Sequence, residues 1–154
     1  VDNAGQVSYQ RITATITSLM AGGKSVKSVS PGGLIAIGTQ LDPALTKSDG
    51  LIGRMLGKPD HLPQVVESMV MQTVLMDRVV GSSADLSVDG IKSNEPLMLS
   101  VGTSTTLGIV KSARDDDIQV ALKIPVCILP GQRVAISRRF SNKWRLIGYG
   151  IVKQ

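Results

Sequence analysis

The sequence has little of what most catalytic and metal-binding sites use. It contains one cysteine, Cys127, and one histidine, His61, among 154 residues. An internal disulfide needs two cysteines, and zinc sites of the usual kind need several cysteine or histidine ligands, so the count excludes both. A serine–histidine–acid triad would have to use His61, which lies between Pro59 and Pro63 in a predicted loop. We therefore expect no metal site and no conventional catalytic centre.

Long hydrophobic runs and aromatic residues are also scarce. No apolar run approaches the roughly 18 residues that a membrane-spanning helix needs, and Val1 opens no charged-then-apolar signal segment. The single cysteine fits a reducing compartment, so we expect a cytoplasmic protein with no membrane association. Branched residues, in contrast, are abundant, since 17 Val, 13 Ile and 9 Thr make up a quarter of the chain. Because such side chains fit a pleated strand better than a helix, the composition predicts an all-β fold.

Alternation and turn residues predict where the strands lie. Before residue 57, strands are predicted at residues 9–19, 25–29, 34–37 and 51–56. Residues 57–63 contain two prolines and a glycine, so we place a domain boundary between residues 62 and 63. After this boundary six strands are predicted, at residues 65–76, 97–101, 105–111, 118–124, 133–138 and 144–152.

The number of strands differs between the two parts. Six strands at regular spacing suit a closed antiparallel barrel, whereas four are too few to close one comfortably. We therefore expect two consecutive β-barrels, an incomplete one over residues 1–62 and a six-stranded antiparallel one over residues 63–154. An unclosed sheet exposes a strand edge, so a homodimer that pairs through this edge is also expected.

The positive charge is concentrated at one end of the chain. The net charge is +5, and the last 23 residues hold six basic residues and no acidic one: Arg133, Arg138, Arg139, Lys143, Arg145 and Lys153. Residues 138–145 surround one predicted hairpin turn, where guanidinium groups on a rigid support suit phosphate groups. The alternatives are a solvated sheet face that only keeps the protein soluble, or an arginine that packs on Trp144 and ties the barrel ends together.

Two other motifs are better explained as turns. Gly22-Gly23-Lys24-Ser25 resembles part of a phosphate-binding loop, but Ser18 replaces the first required glycine and no helix follows, so a hairpin turn is predicted. Residues 115–117 are three consecutive aspartates without the spaced ligands of a calcium loop. We interpret them as a solvated hairpin turn.

Several segments resemble one family in the same sequence order. They resemble the gamma subunit of archaeal and eukaryotic translation initiation factor 2, from its second domain to the end of its third. The resembling segments are Pro31–Thr39, Leu41–Asp49, Arg78–Gly81, Leu97–Thr103, Ile124–Cys127, Ala135–Arg139 and Trp144–Gly150.

The resemblance implies a specific function. Proteins of this family are similar to elongation factor Tu, with a GTPase domain followed by two β-barrels. With alpha and beta subunits they carry initiator methionyl-tRNA to the small ribosomal subunit. The sequence has no phosphate-binding loop, and Asn142-Lys143 is followed by Trp144-Arg145 instead of the expected x-Asp. We therefore expect a non-catalytic fragment, with GTP and Mg²⁺ bound by the missing domain of the parent GTP hydrolase.

The resemblance also suggests binding residues. We expect the loop of Ser30, Pro31, Gly32 and Gly33 to lie near the acceptor end of the tRNA. The exposed loop with Asp42, Lys47 and Asp49 is expected to contribute to alpha-subunit docking. The RNA-binding cluster in the third domain is expected to meet phosphates of tRNA or ribosomal RNA with Arg138, Arg139, Lys143 and Arg145.

Two other functions stay open at this point. The chain could be a free-standing β-barrel adaptor that binds proteins through hydrophobic edges, which would show no salt-sensitive RNA binding. It could also correspond to the equivalent barrels of the selenocysteine-specific elongation factor. The ending Trp144–Gly148 favours the initiation factor over that relative.

Overall fold

The computed structural model describes residues 11–80 and 86–153, and within these ranges it is all-β, as the composition predicted. The start of the first predicted strand, Tyr9 and Gln10, lies outside the described residues. The predictions for residues 11–15 and 26–29 are wrong, because neither segment is a strand. The chain divides into two compact units between Leu51 and Ile52, and each is described by itself. The domain boundary between residues 62 and 63 stays a prediction. No helix within these ranges has the length and apolar character needed to cross a membrane.

The first unit contains a small open sheet. It consists of β1 (Ile16–Ala21), β2 (Lys24–Ser25) and β3 (Ile35–Thr39), in the antiparallel order β2-β1-β3. Gly22 and Gly23 join β1 to β2 with φ of +56° and +75°, a left-handed conformation that glycine adopts without steric cost. The Gly-Gly-Lys-Ser motif is therefore a hairpin turn, as predicted. The sheet does not close, which agrees with the expected incomplete barrel.

The predicted fourth strand, residues 51–56, is wrong. This segment forms a turn and irregular chain, and Ile52 and Leu56 are 69% and 67% exposed. An apolar run becomes a strand where a neighbouring edge accepts its backbone hydrogen bonds. None of the described strands pairs with this segment.

The second unit is a closed six-stranded antiparallel barrel, which confirms the predicted architecture. The strand order is β4-β7-β6-β5-β8-β9, and β9 pairs back onto β4 to close the barrel. All the pairings between neighbours are antiparallel. The six strands are β4 (Val65–Leu75), β5 (Pro96–Val101), β6 (Ser104–Arg114), β7 (Asp117–Cys127), β8 (Arg133–Phe140) and β9 (Lys143–Val152).

The barrel interior is filled by aliphatic side chains from alternate positions of its strands. Met71, Leu97, Leu99, Ile136 and Ile147 are fully buried there. Successive strand residues point to opposite faces, so the alternation seen in the sequence becomes an apolar interior and an exterior that carries the remaining side chains.

A wide irregularity interrupts the pairing of β4 with β7. Val66 pairs with Val126 and Ser68 with Ala121, so residues 122–125 of β7 bulge beside a single residue of β4. The buried Thr106 side chain, on the neighbouring strand β6, compensates for this bulge. Its Oγ1 donates to the carbonyl of Ile124 at 2.9 Å and accepts from the Ile124 N–H at 3.0 Å. One hydroxyl group thus takes the place of two backbone partners.

Candidate functional site

The four basic residues of the predicted RNA-binding cluster all lie on the β8–β9 hairpin. Arg138 faces Arg145, Arg139 faces Trp144, and Phe140 faces Lys143. Residues directly opposite in a sheet share a face, and neighbours along a strand do not. The structure therefore brings the four cations to one hairpin but divides them, with Arg139 on the face opposite to Arg138 and Arg145.

Arg138 is held by the segment that precedes β5. Its guanidinium forms an ion pair with Glu95 and donates to the carbonyl oxygens of Asp89 and Gly90, at 2.9 and 3.2 Å. The side chains of Arg138 and Glu95 are only 14% and 16% exposed. Four hydrogen bonds use most of the five donors of an arginine. Arg138 thus fixes residues 89–95 against the barrel, and its predicted contact with RNA stays a prediction.

The other three cations leave more of their donors open. Arg139 is exposed and donates to the carbonyl of Ser141 at 3.2 Å and to Oδ1 of Asn142 at 3.3 Å, which orients its guanidinium beside the turn. Lys143 is exposed and Arg145 is half-buried. Neither has an ion pair with any residue that the structure describes. This geometry suits the binding of phosphate groups.

The loop of residues 30–33 is exposed and strongly curved. Gly32 and Gly33 have φ of +123° and +69°, and a Cβ added to either would meet no atom within 4 Å. The glycines are therefore required by the backbone conformation, while the space above them is open to a ligand. Ser30 and Pro31 are exposed beside them.

The predicted subunit-binding loop forms two short 3₁₀ helices, Pro43–Leu45 and Lys47–Asp49. The Asp42 carboxylate caps the first one by accepting from the Ala44 N–H at 2.9 Å. Ser48 and Asp49 both have left-handed backbones, with φ of 55° and 60°. Such conformations cost energy in residues other than glycine and occur often at binding sites. Lys47 and Asp49 are exposed.

Sequence reasoning missed two features of this region. Glu95 lies 43 positions before Arg138, and no local signal connects them. Arg133 stacks over the Tyr149 ring, with its Cζ 5.0 Å from the ring centroid. The pairing of alternate residues on β8 and β9 could have indicated this second contact, because Ala135 faces Tyr149 and Arg133 lies two residues away on the same face.

Two of the three consecutive aspartates at the β6–β7 turn have ordinary contacts. Asp117 forms an ion pair with Lys153 at 2.7 Å, and the carbonyl of Asp116 accepts from the N–H and the hydroxyl of Thr73. Among the described residues no group of three or more metal-ligating side chains is placed to hold a metal ion.

Comparison with known proteins agrees with this architecture. The family model "Initiation factor eIF2 gamma, C terminal" matches residues 67–152, which is nearly all of the barrel. The chain is 52% identical to the translation initiation factor 2 subunit gamma of Methanothermobacter thermautotrophicus, over 99% of this chain and 38% of the relative. It is 50% identical to that of Pyrococcus abyssi, over 97% of this chain and 36% of the relative.

The chain thus spans just over a third of the length of the curated relatives it matches. The matches favour the initiation factor over the adaptor and over the selenocysteine-specific factor. The second unit carries the C-terminal β-barrel of the matched family. The chain belongs to the family of translation initiation factor 2 gamma subunits.

Proposed function

We propose that this chain is the non-catalytic, RNA- and subunit-binding part of a translation initiation factor 2 gamma subunit. In this proposal the whole protein is a cytoplasmic GTPase that delivers initiator methionyl-tRNA to the small ribosomal subunit. Its partners are the alpha and beta subunits, the tRNA and the ribosomal RNA. The observation that carries the RNA-binding role is the basic β8–β9 hairpin, in a stretch of 23 residues without a carboxylate side chain.

The chain by itself is proposed to bind no GTP. Phosphoryl transfer needs a positioned triphosphate, Mg²⁺ and an oriented water, and the sequence has neither a phosphate-binding loop nor the nucleotide-binding Asn-Lys-x-Asp motif. GTP and Mg²⁺ therefore belong to the rest of the whole protein. A calorimetric titration of the chain with GTP and Mg²⁺ should give no saturable heat, and a saturable signal would contradict the proposal.

RNA binding is tested by its dependence on salt. Each phosphate contact makes the slope of log affinity against log salt concentration more negative by about 0.7 to 0.9. Arg139→Ala should make this slope shallower by the contribution of one phosphate contact, about 0.7 to 0.9, because the exposed guanidinium lies beside the turn. Lys58→Ala, at an exposed lysine outside the hairpin, is the matched control. An Arg139 variant with the slope of the control would argue against a phosphate contact.

Docking of the alpha subunit is tested by calorimetric titration of this chain with the separately purified subunit. The strained Ser48–Asp49 backbone and exposed Lys47 support the loop of residues 42–49 as the contact. Lys47→Ala should weaken binding, whereas Lys27→Ala, at an exposed lysine of the same unit, should not. Equal affinities for both variants and the parent chain would exclude Lys47 from the contact.

The open sheet of the first unit supports one further proposal about assembly. Its edges could pair two copies of the chain, as exposed strand edges do. Sedimentation at increasing protein concentration should then show a monomer–dimer equilibrium, and a monomer at all concentrations would reject it.

A further inference from the structure

An apolar groove lies on the outer surface of the barrel, beside the β8–β9 hairpin. Its volume is about 300 Å³, and it is open to solvent. It takes residues from β5, β6, β7 and β9. Its lining includes Met98, Thr105, Leu107, Lys123, Ile124 and Trp144.

The groove exposes apolar side chains where a solvated barrel face usually carries polar ones. Met98 and Leu107 face each other across β5 and β6, and Leu107 is 37% exposed. Ile124, in the bulge of β7 that Thr106 holds in place, is 46% exposed. These apolar side chains lie next to one another on the barrel face, so together they offer a small apolar floor to a flat ligand group.

The surroundings of the groove are positively charged. Lys123 lines it, and Arg139 lies directly opposite Trp144 on the neighbouring strand, so the two share a face. The hydrogen bonds of Arg139 to Ser141 and Asn142 keep its guanidinium beside the turn. No carboxylate side chain lines the groove among the described residues. Cations around an indole and an apolar floor match a ligand that has both phosphates and flat rings.

We propose that this groove binds an unpaired nucleobase of single-stranded RNA, stacked on Trp144, with the adjacent phosphates on Lys123 and Arg139. The inference rests on the RNA-binding function proposed above and assigns it a specific mode of contact. Stacking on an aromatic side chain accepts any base, because every base has a π-face. We therefore expect a preference for single-stranded over duplex RNA and little preference for sequence.

Trp144 is the only tryptophan of the chain, so its fluorescence reports on this groove alone. The full chain is titrated with oligoadenylate of about eight nucleotides, within the usual site size of single-strand binders. Affinity is measured in parallel by the anisotropy of dye-labelled RNA. We expect saturable quenching of Trp144 at the RNA concentrations that saturate the anisotropy. Inorganic polyphosphate should compete only weakly and should not quench.

Variants separate stacking from charge. Trp144→Ala should weaken RNA binding at least about fivefold, while Trp144→Phe, which keeps an aromatic face, should retain most of the affinity. Lys123→Gln should weaken binding, and Lys111→Gln, on the outer part of β6 away from the groove lining, is the matched control. Circular dichroism checks that each variant keeps the barrel.

Three outcomes would overturn the proposal. RNA binding without quenching, and unchanged by Trp144→Ala, would reject the groove while leaving the proposed RNA-binding function intact. No RNA binding at all would reject both. A change in Trp144 fluorescence with protein concentration in the absence of RNA would indicate that a second copy of the chain covers the groove instead.

Discussion

The hydroxyl of Thr106 is predicted to stabilise the bulge of β7 through two hydrogen bonds. It donates to the carbonyl of Ile124 at 2.9 Å and accepts from its N–H at 3.0 Å, and Thr106 is only 2% exposed. Thr106→Val keeps the branched shape and removes the hydroxyl, and with it these two bonds and a longer one to the Leu107 carbonyl at 3.4 Å. A hydrogen bond contributes about 0.5–1.5 kcal/mol net, so the loss should be about 1–3 kcal/mol in the free energy of unfolding.

The adjacent residue provides the control for this substitution. Thr105 is exposed on the opposite face of the same strand, so Thr105→Val makes the same chemical change without removing a buried bond. We expect this variant to change stability by no more than about 0.5 kcal/mol.

Urea unfolding followed by the fluorescence of Trp144 measures both variants, because the only tryptophan lies in the barrel. In thermal unfolding of a chain of this size, the predicted loss of stability should lower Tm by about 2–4 °C per kcal/mol. Equal stabilities of the Thr106 and Thr105 variants would refute the assignment of the hydroxyl as the partner of the bulge.

Four further substitutions, at three positions, test contacts elsewhere in the barrel, each by urea unfolding. Gly148→Ala should destabilise by more than about 2 kcal/mol, because its Cβ would overlap the Val74 carbonyl oxygen where β9 closes onto β4; wild-type stability would contradict this closure. Arg138→Ala should lower the free energy of unfolding by about 2–4 kcal/mol, since it leaves the Glu95 carboxylate, which is only 16% exposed, without its ion-pair partner, and Arg138→Lys should restore part of the loss. Lys153→Gln should cost less than about 1 kcal/mol, because its ion pair with Asp117 is 43% and 46% exposed; a larger loss would show that this pair is coupled to further contacts.

The division of the basic hairpin changes how its residues should be tested. Arg138 and Arg139 are adjacent in sequence, yet one contacts Glu95 and the other lies beside the turn. Replacing both together would combine a loss of stability with a loss of charge. Single variants, with unfolding and RNA binding measured on each, separate the two effects.

The chain's second half was predictable because a closed barrel repeats one local rule. Alternate residues of each strand face the core. The alternating pattern in a segment such as β7 therefore predicts both that it is a strand and which of its side chains point inward. Val65–Leu75 formed a strand because its valines fit a pleated surface better than a helix. The concentration of positive charge in the last 23 residues could also be predicted, since it can be counted directly from the sequence.

Other features of the fold depend on contacts between residues that are distant in sequence. Residues 51–56 are largely apolar but have no described strand beside them, so an apolar run alone misled. The sequence signalled neither Glu95 as the partner of Arg138 nor Thr106 as the partner of the β7 bulge, because these pairs are 43 and 18 positions apart. The apolar groove around Trp144 likewise exists only where four strands meet. Alternation and composition are local properties of the chain, whereas these contacts depend on strand order, register and barrel closure.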